Sequence, residues 1–313
     1  MILTLTLNPS LDRTIEIGSL TRGTVIRAAN AHLDPGGKGV NVCRALLAND
    51  VRSCAVIPYG GAEGHQLLAL LSQEGIEVIT VPVAGPTRSN VALAEPDGTV
   101  TKVNEPGTAL SPAELDAVAQ AVLDAARSAD WVVASGSLPP GVPVDLYAQL
   151  AARFAEAGIN VAVDTSGPAL VSAVAAAPAL VKPNREELAE ATGATLVTLG
   201  DALDAAGKLR ALGARAVLAS LGPDGAVLVE EAGAWYGRCP VREPRSTVGA
   251  GDAMLAGFLA AGAGGQAALV EALAWASAAV SLPGSRMPSP GDIRRDDVRI
   301  LEPDPTQPLS TGD

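Results

Sequence analysis

The stretch that decides the fold runs from Ser246 to Gly257 and reads S-T-V-G-A-G-D-A-M-L-A-G. A proline-containing segment precedes it and an Ala-rich apolar run follows, which predicts a loop that turns into a helix at Gly249, Ala250 and Gly251. The first N–H groups of a helix lack internal partners and lie at the positive end of its dipole, so such a terminus binds anions. Asp252, in this first turn, either caps its own helix or does chemistry on the bound anion.

The composition limits the class of protein. The 313 residues allow one large or two modest domains, and 48% apolar residues with only 3% aromatic ones predict an aliphatic core. A net charge of −12 argues against non-specific binding to nucleic acid or anionic membranes. Three scattered cysteines favour neither a disulfide framework nor a zinc site, and no apolar run is long enough to span a membrane. Since the first residues resemble a strand rather than a signal peptide, we expect a cytoplasmic protein.

Two kinds of pattern divide the chain. From Ser111 onward, apolar strands alternate with amphipathic helices, which predicts a parallel sheet covered by helices on both faces. Short strands predicted at 14–17 and 24–29, and a hairpin predicted around Pro96-Asp97-Gly98, do not fit this alternation. We expect them to form a small sheet that stands off the main body.

The last part of the chain carries weaker signals. Trp235 and Tyr236 are predicted to begin the edge strand of the large sheet, and two Ala-rich helices are expected after Gly251. The tail from Pro283 is rich in Pro, Asp and Arg, so we expect it to be peripheral.

Three further stretches place polar residues where a ligand is expected. Asp12 follows the first strand, and ligands of open α/β sheets bind beyond the strand ends, although such an aspartate also closes turns. The stretch 36–39 reads G-G-K-G; it lacks the Walker A spacing, but its glycines let the backbone approach a ligand, and Asn41 follows one turn into a helix. Asn184 and Glu187 have the spacing of a capping box, so a purely structural role suffices for both.

The order of six motifs is more specific than any one of them. N-P-S-L-D, P-G-G-K-G-x-N-V, S-G-S-L-P-P-G, K-P-N-x-x-E, S-L-G-x-x-G and T-V-G-A-G-D follow one another between residue 3 and about residue 258. This series resembles the ribokinase-like carbohydrate kinases of the phosphofructokinase-B branch. The resemblance implies one kinase domain over residues 1–313, with a doubly wound, mostly parallel α/β sheet and an inserted lid sheet from about 13–33 and 87–105. It also implies a homodimer through the lid, and pairing would cover lid edges that are otherwise exposed.

The resemblance implies phosphoryl transfer from ATP, with Mg²⁺, to a sugar phosphate. The opening motif and the K-P-N box are most similar to members that convert fructose 1-phosphate into fructose 1,6-bisphosphate, and members acting on tagatose 6-phosphate or fructose 6-phosphate are alternatives. Asp252 is then the catalytic base, and the N–H groups of Gly249, Ala250 and Gly251 form the anion hole. The residues expected to bind the sugar phosphate are Asp12, Arg27, Gly36, Gly37, Lys38, Asn41, Arg88 and Ser137. The residues expected at ATP are Lys182, Asn184, Ser220, Gly222, Gly225 and Thr247, with Glu187 at Mg²⁺. Arg27 is expected to act in its own site or in that of a partner subunit.

Two functions of other classes remain as alternatives. A non-catalytic protein that binds a sugar phosphate and regulates another process has the same motifs, but the complete G-A-G-D loop argues against it. A dinucleotide-dependent oxidoreductase is disfavoured because no G-x-G-x-x-G follows the first strand.

Overall fold

The computed structural model describes residues 1–310, in which the chain forms two sheets and nine α-helices. The strands are β1 (Ile2–Thr6), β2 (Ser10–Glu16), β3 (Asn30–Gly36), β4 (Ser53–Tyr59), β5 (Val78–Pro82), β6 (Arg88–Ala94), β7 (Val100–Asn104), β8 (Trp131–Ser135), β9 (Asn160–Asp164), β10 (Leu180–Val181), β11 (Val217–Ser220), β12 (Ala226–Glu230), β13 (Gly233–Arg238) and β14 (Arg299–Leu301). The helices are α1 (Lys38–Leu47), α2 (Gly61–Glu74), α3 (Pro112–Ala126), α4 (Leu146–Glu156), α5 (Gly167–Ala175), α6 (Arg185–Thr192), α7 (Leu199–Ala211), α8 (Ala250–Ala260) and α9 (Gly265–Val280).

The large sheet has ten strands in the order β14-β13-β12-β11-β10-β9-β8-β1-β4-β5. The seven strands from β11 to β5 are parallel, and the other three extend the sheet antiparallel at one edge. The chain leaves β1 to one side for β4 and β5 and returns to the other side for β8. A crevice therefore forms at the carboxyl ends of the central strands, which is where ligands bind in this architecture.

Helices cover both faces of this sheet, as the alternating pattern predicts. The face that carries Leu3 and Leu5 of β1 packs against α3 to α7, and the opposite face packs against α1, α2, α8 and α9. Both α8 and α9 are almost entirely apolar and mostly buried. Their small Ala and Gly side chains let the two helices approach each other closely. Glycine is required at 257, where a Cβ would lie 2.8 Å from a ring carbon of Trp275 and from the Glu271 carbonyl. This packing places the start of α8 at the crevice.

The second sheet, which we call the lid, has the order β3-β2-β6-β7. β2 pairs antiparallel with β3 and parallel with β6, and β6 pairs antiparallel with β7. The register sets Asp12 opposite Asp34 and Asn90, so these polar residues share one face of the sheet. β3 ends at Gly36 and α1 begins two residues later, so the lid enters the body directly at the G-G-K-G stretch.

Two predicted details of the strands are wrong. Residues 24–29 form no strand: the segment between β2 and β3 is irregular and exposed, with Val25 86% exposed, and the second lid strand is β3 instead. Gly23 has a left-handed backbone conformation, with φ of 80°, which interrupts the extended backbone that a strand needs. Leu33, in β3, is partly buried and so favours a strand there. The strand that contains Trp235 and Tyr236 is not the edge either, because β14 pairs on its outer side.

The tail is also less peripheral than predicted. Besides β14, its residues after 302 run back over the helical face, where Leu309 is buried and Pro308 bridges Thr198 at the start of α7. The Ser310 hydroxyl and amide both donate to the buried carboxylate of Asp224, at 2.9 and 2.7 Å. We call residues 305–310 the C-terminal strap. Within residues 1–310, no helix has both the length and the apolar character that crossing a bilayer requires.

Candidate active site

The start of α8 holds a buried carboxylate beside the backbone N–H groups of the first helical turn, of which the Ala250 N–H makes a long 3.4 Å contact with the Thr247 carbonyl. Gly249 is the N-cap residue with φ of 78°, a left-handed conformation that favours glycine, and Ala250 and Gly251 form the first turn. Asp252 follows and is 7% exposed. Its side chain does not cap the helix; instead its Oδ2 accepts a hydrogen bond of 2.9 Å from the Asn41 amide.

The surroundings of Asp252 shift its titration toward neutral pH. The pKa of Asp252 is raised to about 6: burial and, next, the nearby charge of Asp164 raise it, while the Asn41 hydrogen bond and the ammonium groups of Lys38 and Lys182 oppose the shift. A base works best when its pKa lies near the working pH, so Asp252 is suited to accept a proton. A carboxylate with this pKa and no capping bond is unusual for a helix start that serves only structure.

Two lysines converge on one buried carboxylate. Lys38 Nζ donates to Asp164 Oδ1 at 2.7 Å, and Lys182 Nζ lies 3.2 Å from Asp164 Oδ2. Burial alone would lower the pKa of Lys38, but the charges of Asp164 and Glu187 outweigh it and raise the pKa. Lys182 also lies 3.2 Å from the position that a Cβ on Gly251 would occupy. Positive charge and helix N–H groups thus meet at one point of the crevice.

Asn184 and Glu187 form the capping box that their spacing predicts. Asn184 Oδ1 accepts from the Glu187 amide at 2.8 Å, and Glu187 Oε2 accepts from the Asn184 amide at 2.9 Å. The second oxygen, Oε1, points away from the cap toward Lys38 Nζ at 3.4 Å. Glu187 therefore performs the structural role and still presents an oxygen to the crevice.

The carboxylates of this cluster fit a magnesium ion. Asp164 Oδ2 is buried and its one polar contact among the described residues is the 3.2 Å ion pair with Lys182, and Glu187 Oε1 has only the long contact with Lys38. No three acidic, His or Cys side chains cluster as a ready-made metal cage within residues 1–310. Mg²⁺ usually takes only one or two carboxylates and completes its shell with water and phosphate oxygens, so this donor set is sufficient.

The lid contributes a second group of polar residues. Asp12 Oδ1 accepts hydrogen bonds from Ser10 Oγ at 2.6 Å and from Asn90 Nδ2 at 2.9 Å. A Cβ on Gly36 would collide with the Asp12 carboxylate and the Ser10 hydroxyl, so only glycine lets the strands approach here. Gly37 has φ of 121°, and a Cβ there would lie 2.7 Å from the Thr6 methyl group. Glycine at 36 and 37 therefore leaves room for the Asp12 carboxylate and the Thr6 methyl group; the expected approach of this backbone to a sugar stays a prediction.

Arg88 begins β6 on the same lid face as Asp12. Its Nη1 donates to the Glu105 carbonyl at 3.0 Å, while its Nε is buried without a hydrogen-bond partner among the described residues. Burial lowers the pKa of the guanidinium, and the charges of Asp12 and Glu105 oppose this shift. A buried donor without a partner costs free energy unless a ligand satisfies it, which suits Arg88 to bind an anion.

A cleft of about 1020 Å³ separates the lid face from the body. Its walls include Asp12 and Asn90 on the lid and Arg44 and Ser285 on the body. Asp252 is not on the wall. It connects to the cleft through Asn41, which bonds to Arg44.

The other predicted residues fall into four places. Ser220 pairs with Asn184 across neighbouring strand ends, and Gly222 and Gly225, both with positive φ, form the turn that follows. Thr247 is exposed in the loop before α8, and exposed Ser137 accepts from the Asn8 amide at 3.2 Å. Arg27 is not brought to this cluster: it lies exposed in the irregular segment between β2 and β3, without a hydrogen bond or ion pair to any of residues 1–310.

Sequence reasoning missed several residues of the site. Asp164 closes β9, and the rule that directed attention to Asp12, a carboxylate at a strand end, applies equally to it. Asn90 gave no signal before its register with Asp12 was known. Arg44 and Glu74, which form a bidentate ion pair at 2.7 and 2.9 Å, lie 30 residues apart and carry no local motif.

Comparison with known proteins agrees with this geometry. The family described as "pfkB family carbohydrate kinase" matches residues 5–290. The chain is 43% identical to a 1-phosphofructokinase of Rhodobacter capsulatus over 82% of each chain, and 37% identical to that of Haloferax volcanii over 96% of this chain and 97% of the relative. Phosphofructokinase-2 from Escherichia coli, solved in complex with fructose-6-phosphate, superposes with a TM-score of 0.84 at 34% identity, covering 93% of this chain and 96% of that one. This chain therefore belongs to the pfkB family of carbohydrate kinases.

Proposed function

We propose that the protein is an ATP-dependent kinase that converts D-fructose 1-phosphate into fructose 1,6-bisphosphate. The observation that carries the proposal is the buried, uncapped carboxylate of Asp252, with its pKa raised to about 6 at a helix start that offers N–H donors. The relatives named 1-phosphofructokinase support the choice of sugar phosphate.

In the proposed reaction, Asp252 accepts the proton of the attacking sugar hydroxyl. The hydroxyl oxygen forms a bond to the γ-phosphorus of ATP while the bond from this phosphorus to the β,γ-bridging oxygen breaks, which releases ADP. The N–H groups of Gly249, Ala250 and Gly251 and the ammonium of Lys182 face the negative charge of the transferred group. These donors are in place before the reaction, because α8 and its partner helices are buried and fixed.

The sugar phosphate is proposed to bind between the lid and α1. Asp12 and Asn41 bind its hydroxyl groups, the Gly36 and Gly37 backbone lies against the ring, and Arg88 binds its phosphate through the donors left without partners. We also assign Ser137, whose hydroxyl accepts a hydrogen bond from the Asn8 side chain, to this site. Lys38, which the sequence analysis assigned to the sugar phosphate, contacts Asp164 and Glu187, so we place it between the two substrates.

ATP is proposed to bind along the ends of β10 and β11. Lys182 and Asn184 face its phosphates, and the residues that line the nucleotide further out are Ser220, Gly222, Gly225 and Thr247. Asp164 and Glu187 would hold Mg²⁺, which neutralises negative charge on the phosphate oxygens.

A second substrate has a specific observation in its favour. The superposed Escherichia coli enzyme was solved with fructose-6-phosphate, and its fold superposes on that of this chain over 93% of the residues. Fructose 6-phosphate and tagatose 6-phosphate are therefore the competing acceptors.

One experiment separates these options. ADP release is measured with ATP, Mg²⁺ and, in turn, fructose 1-phosphate, fructose 6-phosphate, tagatose 6-phosphate and unphosphorylated fructose. We expect the highest kcat/KM with fructose 1-phosphate. A higher value with a 6-phosphate reassigns the substrate within the family. Binding of sugar phosphate without any ADP release identifies a non-catalytic binding protein instead.

We also propose a homodimer in which two lids pack together. The lid carries an exposed apolar side chain on the face turned away from the cleft, Val103 at 59% exposure, and the outer edges of β3 and β7 are free within the described chain. The exposed segment that holds Arg27 borders this sheet, so Arg27 is available to a partner's site. Sedimentation of the wild type against a Val103→Lys variant tests the proposal: the variant is expected to shift toward monomer, and an unchanged mass places the interface elsewhere.

A further inference from the structure

Arg44, on α1 next to the proposed base, contacts the end of α2 and the loop at Ser285 and reaches the start of α8 through Asn41. Its side chain is only 8% exposed, and its Nε and Nη2 donate to the two carboxylate oxygens of Glu74 at 2.7 and 2.9 Å. Its remaining nitrogen, Nη1, donates to Asn41 Oδ1 at 3.4 Å and to the Ser285 carbonyl at 3.2 Å. Asn41 in turn donates to Asp252 at 2.9 Å. A continuous series of contacts therefore runs from the end of α2 to the start of α8.

This series gives the Asn41 amide one favourable orientation. The guanidinium can only donate, and the ionised Asp252 carboxylate can only accept. With Oδ1 toward Arg44 and Nδ2 toward Asp252, both contacts are satisfied. If the amide turned over, two donors would meet on one side and two acceptors on the other, and both buried contacts would be lost.

The charge of Arg44 does not by itself require Asn41. The bidentate ion pair with Glu74 already balances the charge of the guanidinium. The contact with Asn41 is therefore not needed to neutralise Arg44, and its effect is to orient the Asn41 amide. One N–H of the Asn41 amide is used on Asp252 and the other stays available for a sugar hydroxyl. Asn41, which is proposed to bind the substrate and contacts the proposed base, is thus itself oriented by Arg44.

We propose that Arg44 is a positioning residue: by fixing the Asn41 amide, it holds the Asp252 carboxylate where the sugar hydroxyl can reach it. The inference rests on the proposed function, in which Asp252 is the base. Arg44 itself lines the wall of the cleft but acts through Asn41, so its loss is expected to lower kcat while the KM for ATP stays the same.

A double-mutant cycle tests the route of action. The variants are Arg44→Met, Asn41→Ala and the pair of them together, with Arg127→Met, a helix-end arginine whose side chain is 80% exposed, as the matched control. We expect each single variant to lose about ten- to a hundredfold in kcat, as misplaced catalytic groups do, and the double variant to lose no more than Asn41→Ala alone. The Arg127 control should retain wild-type kcat.

The possible outcomes separate this proposal from simpler ones. An unchanged kcat in Arg44→Met overturns it, and so do fully additive losses, which would show that Arg44 does not act through Asn41. If Arg44→Met folds poorly because Glu74 is left unpaired, the Arg44→Met/Glu74→Gln variant takes its place in the cycle. A crystal structure of the variant tests the geometry without turnover: an Asn41 amide still on Asp252 at the same distance overturns the proposal. Absence of turnover in the wild type counts against the proposed function instead.

Discussion

The body and the lid build their halves of the site in different ways. In the body, Asp252, Asp164 and Lys182 are at most 7% exposed and sit at the ends of elements that are buried on both sides. In the lid, Asp12 and Arg88 are half-buried on a four-stranded sheet with one face over a cleft. Groups that take part in bond making are best held rigidly, whereas groups that admit a substrate must allow entry. We therefore expect changes in the body to act on kcat and changes in the lid to act on the KM for the sugar phosphate.

The largest effect is expected from Asp252→Asn. Asn keeps the shape of the side chain but cannot accept the hydroxyl proton, so kcat should fall by about 10²- to 10⁴-fold. ATP should still bind, because the backbone donors remain, and a nucleotide-binding titration checks this. Asp201→Asn is the control, since Asp201 is also an acid in the first turn of a helix but serves only a cap. A variant that keeps more than about a tenth of wild-type kcat, above that range, would return Asp252 to a structural role.

Arg88→Ala tests the expectation that lid residues act on the KM for the sugar phosphate. A charge-assisted hydrogen bond contributes roughly 1.5–3 kcal/mol, so the KM for the sugar phosphate should rise about ten- to a hundredfold with little change in kcat. Arg52→Ala is the control, because Arg52 lies at the opposite end of the sheet, next to the start of β1. An equal loss in kcat would mean that the lid also positions the reacting groups, and the division between the two regions would fail.

Glu187→Gln tests a residue with two roles. Gln keeps the shape of the capping box but removes the charge that faces the crevice, so we expect the Mg²⁺ concentration for half-maximal activity to rise about tenfold. Glu114→Gln makes the same change in the capping box of α3, remote from the crevice, and should leave the Mg²⁺ dependence unaltered. A lower melting temperature with unchanged Mg²⁺ dependence would make Glu187 a cap alone.

The pH dependence gives the most modest effect. Activity requires ionised Asp252, so kcat/KM should rise with pH through about 6 and then level off, with about a tenfold loss for each pH unit below.

The free energy of unfolding should change with pH in the opposite direction. Folding raises this pKa, so the contribution of Asp252 to stability is most favourable below pH 3.8 and is lost as pH rises through about 6. Asp252→Asn is therefore expected to stabilise the protein at pH 8 by about 1–3 kcal/mol relative to wild type, and by less at pH 5. Thermal unfolding at both pH values checks the sign.

Local chemistry made much of the fold predictable. The loop-to-helix transition at Gly249, the capping box at Asn184, and the alternating strands and helices all depend on residues a few positions apart. The lid was predictable as an exception to the alternation of strands and helices. Its second strand was misplaced, because residues 24–29 have a strand-like composition but almost all of them are exposed and so have little to pack against.

The rest depends on contacts between distant parts of the chain. Asp164 meets Lys38 across 126 residues, and Arg44 meets Glu74 across 30, so neither pair produces a periodic pattern. The roles of Asp12, Arg88 and Glu187 came from family resemblance rather than from the residues themselves, and they remain predictions. Sequence thus indicated a candidate for the reacting end of the site, while its supporting contacts required the structure.

The C-terminal strap has a consequence for the proposed nucleotide site. The region shared with the pfkB family ends at residue 290, yet Ser310 and Gln307 bond to Asp224 and Tyr236, next to the turn proposed to hold the nucleotide. The turn proposed to hold the nucleotide is therefore braced by residues outside the segment that matches the family. We therefore expect changes at Ser310 or Gln307 to alter the affinity for ATP while every motif of the proposed site stays intact.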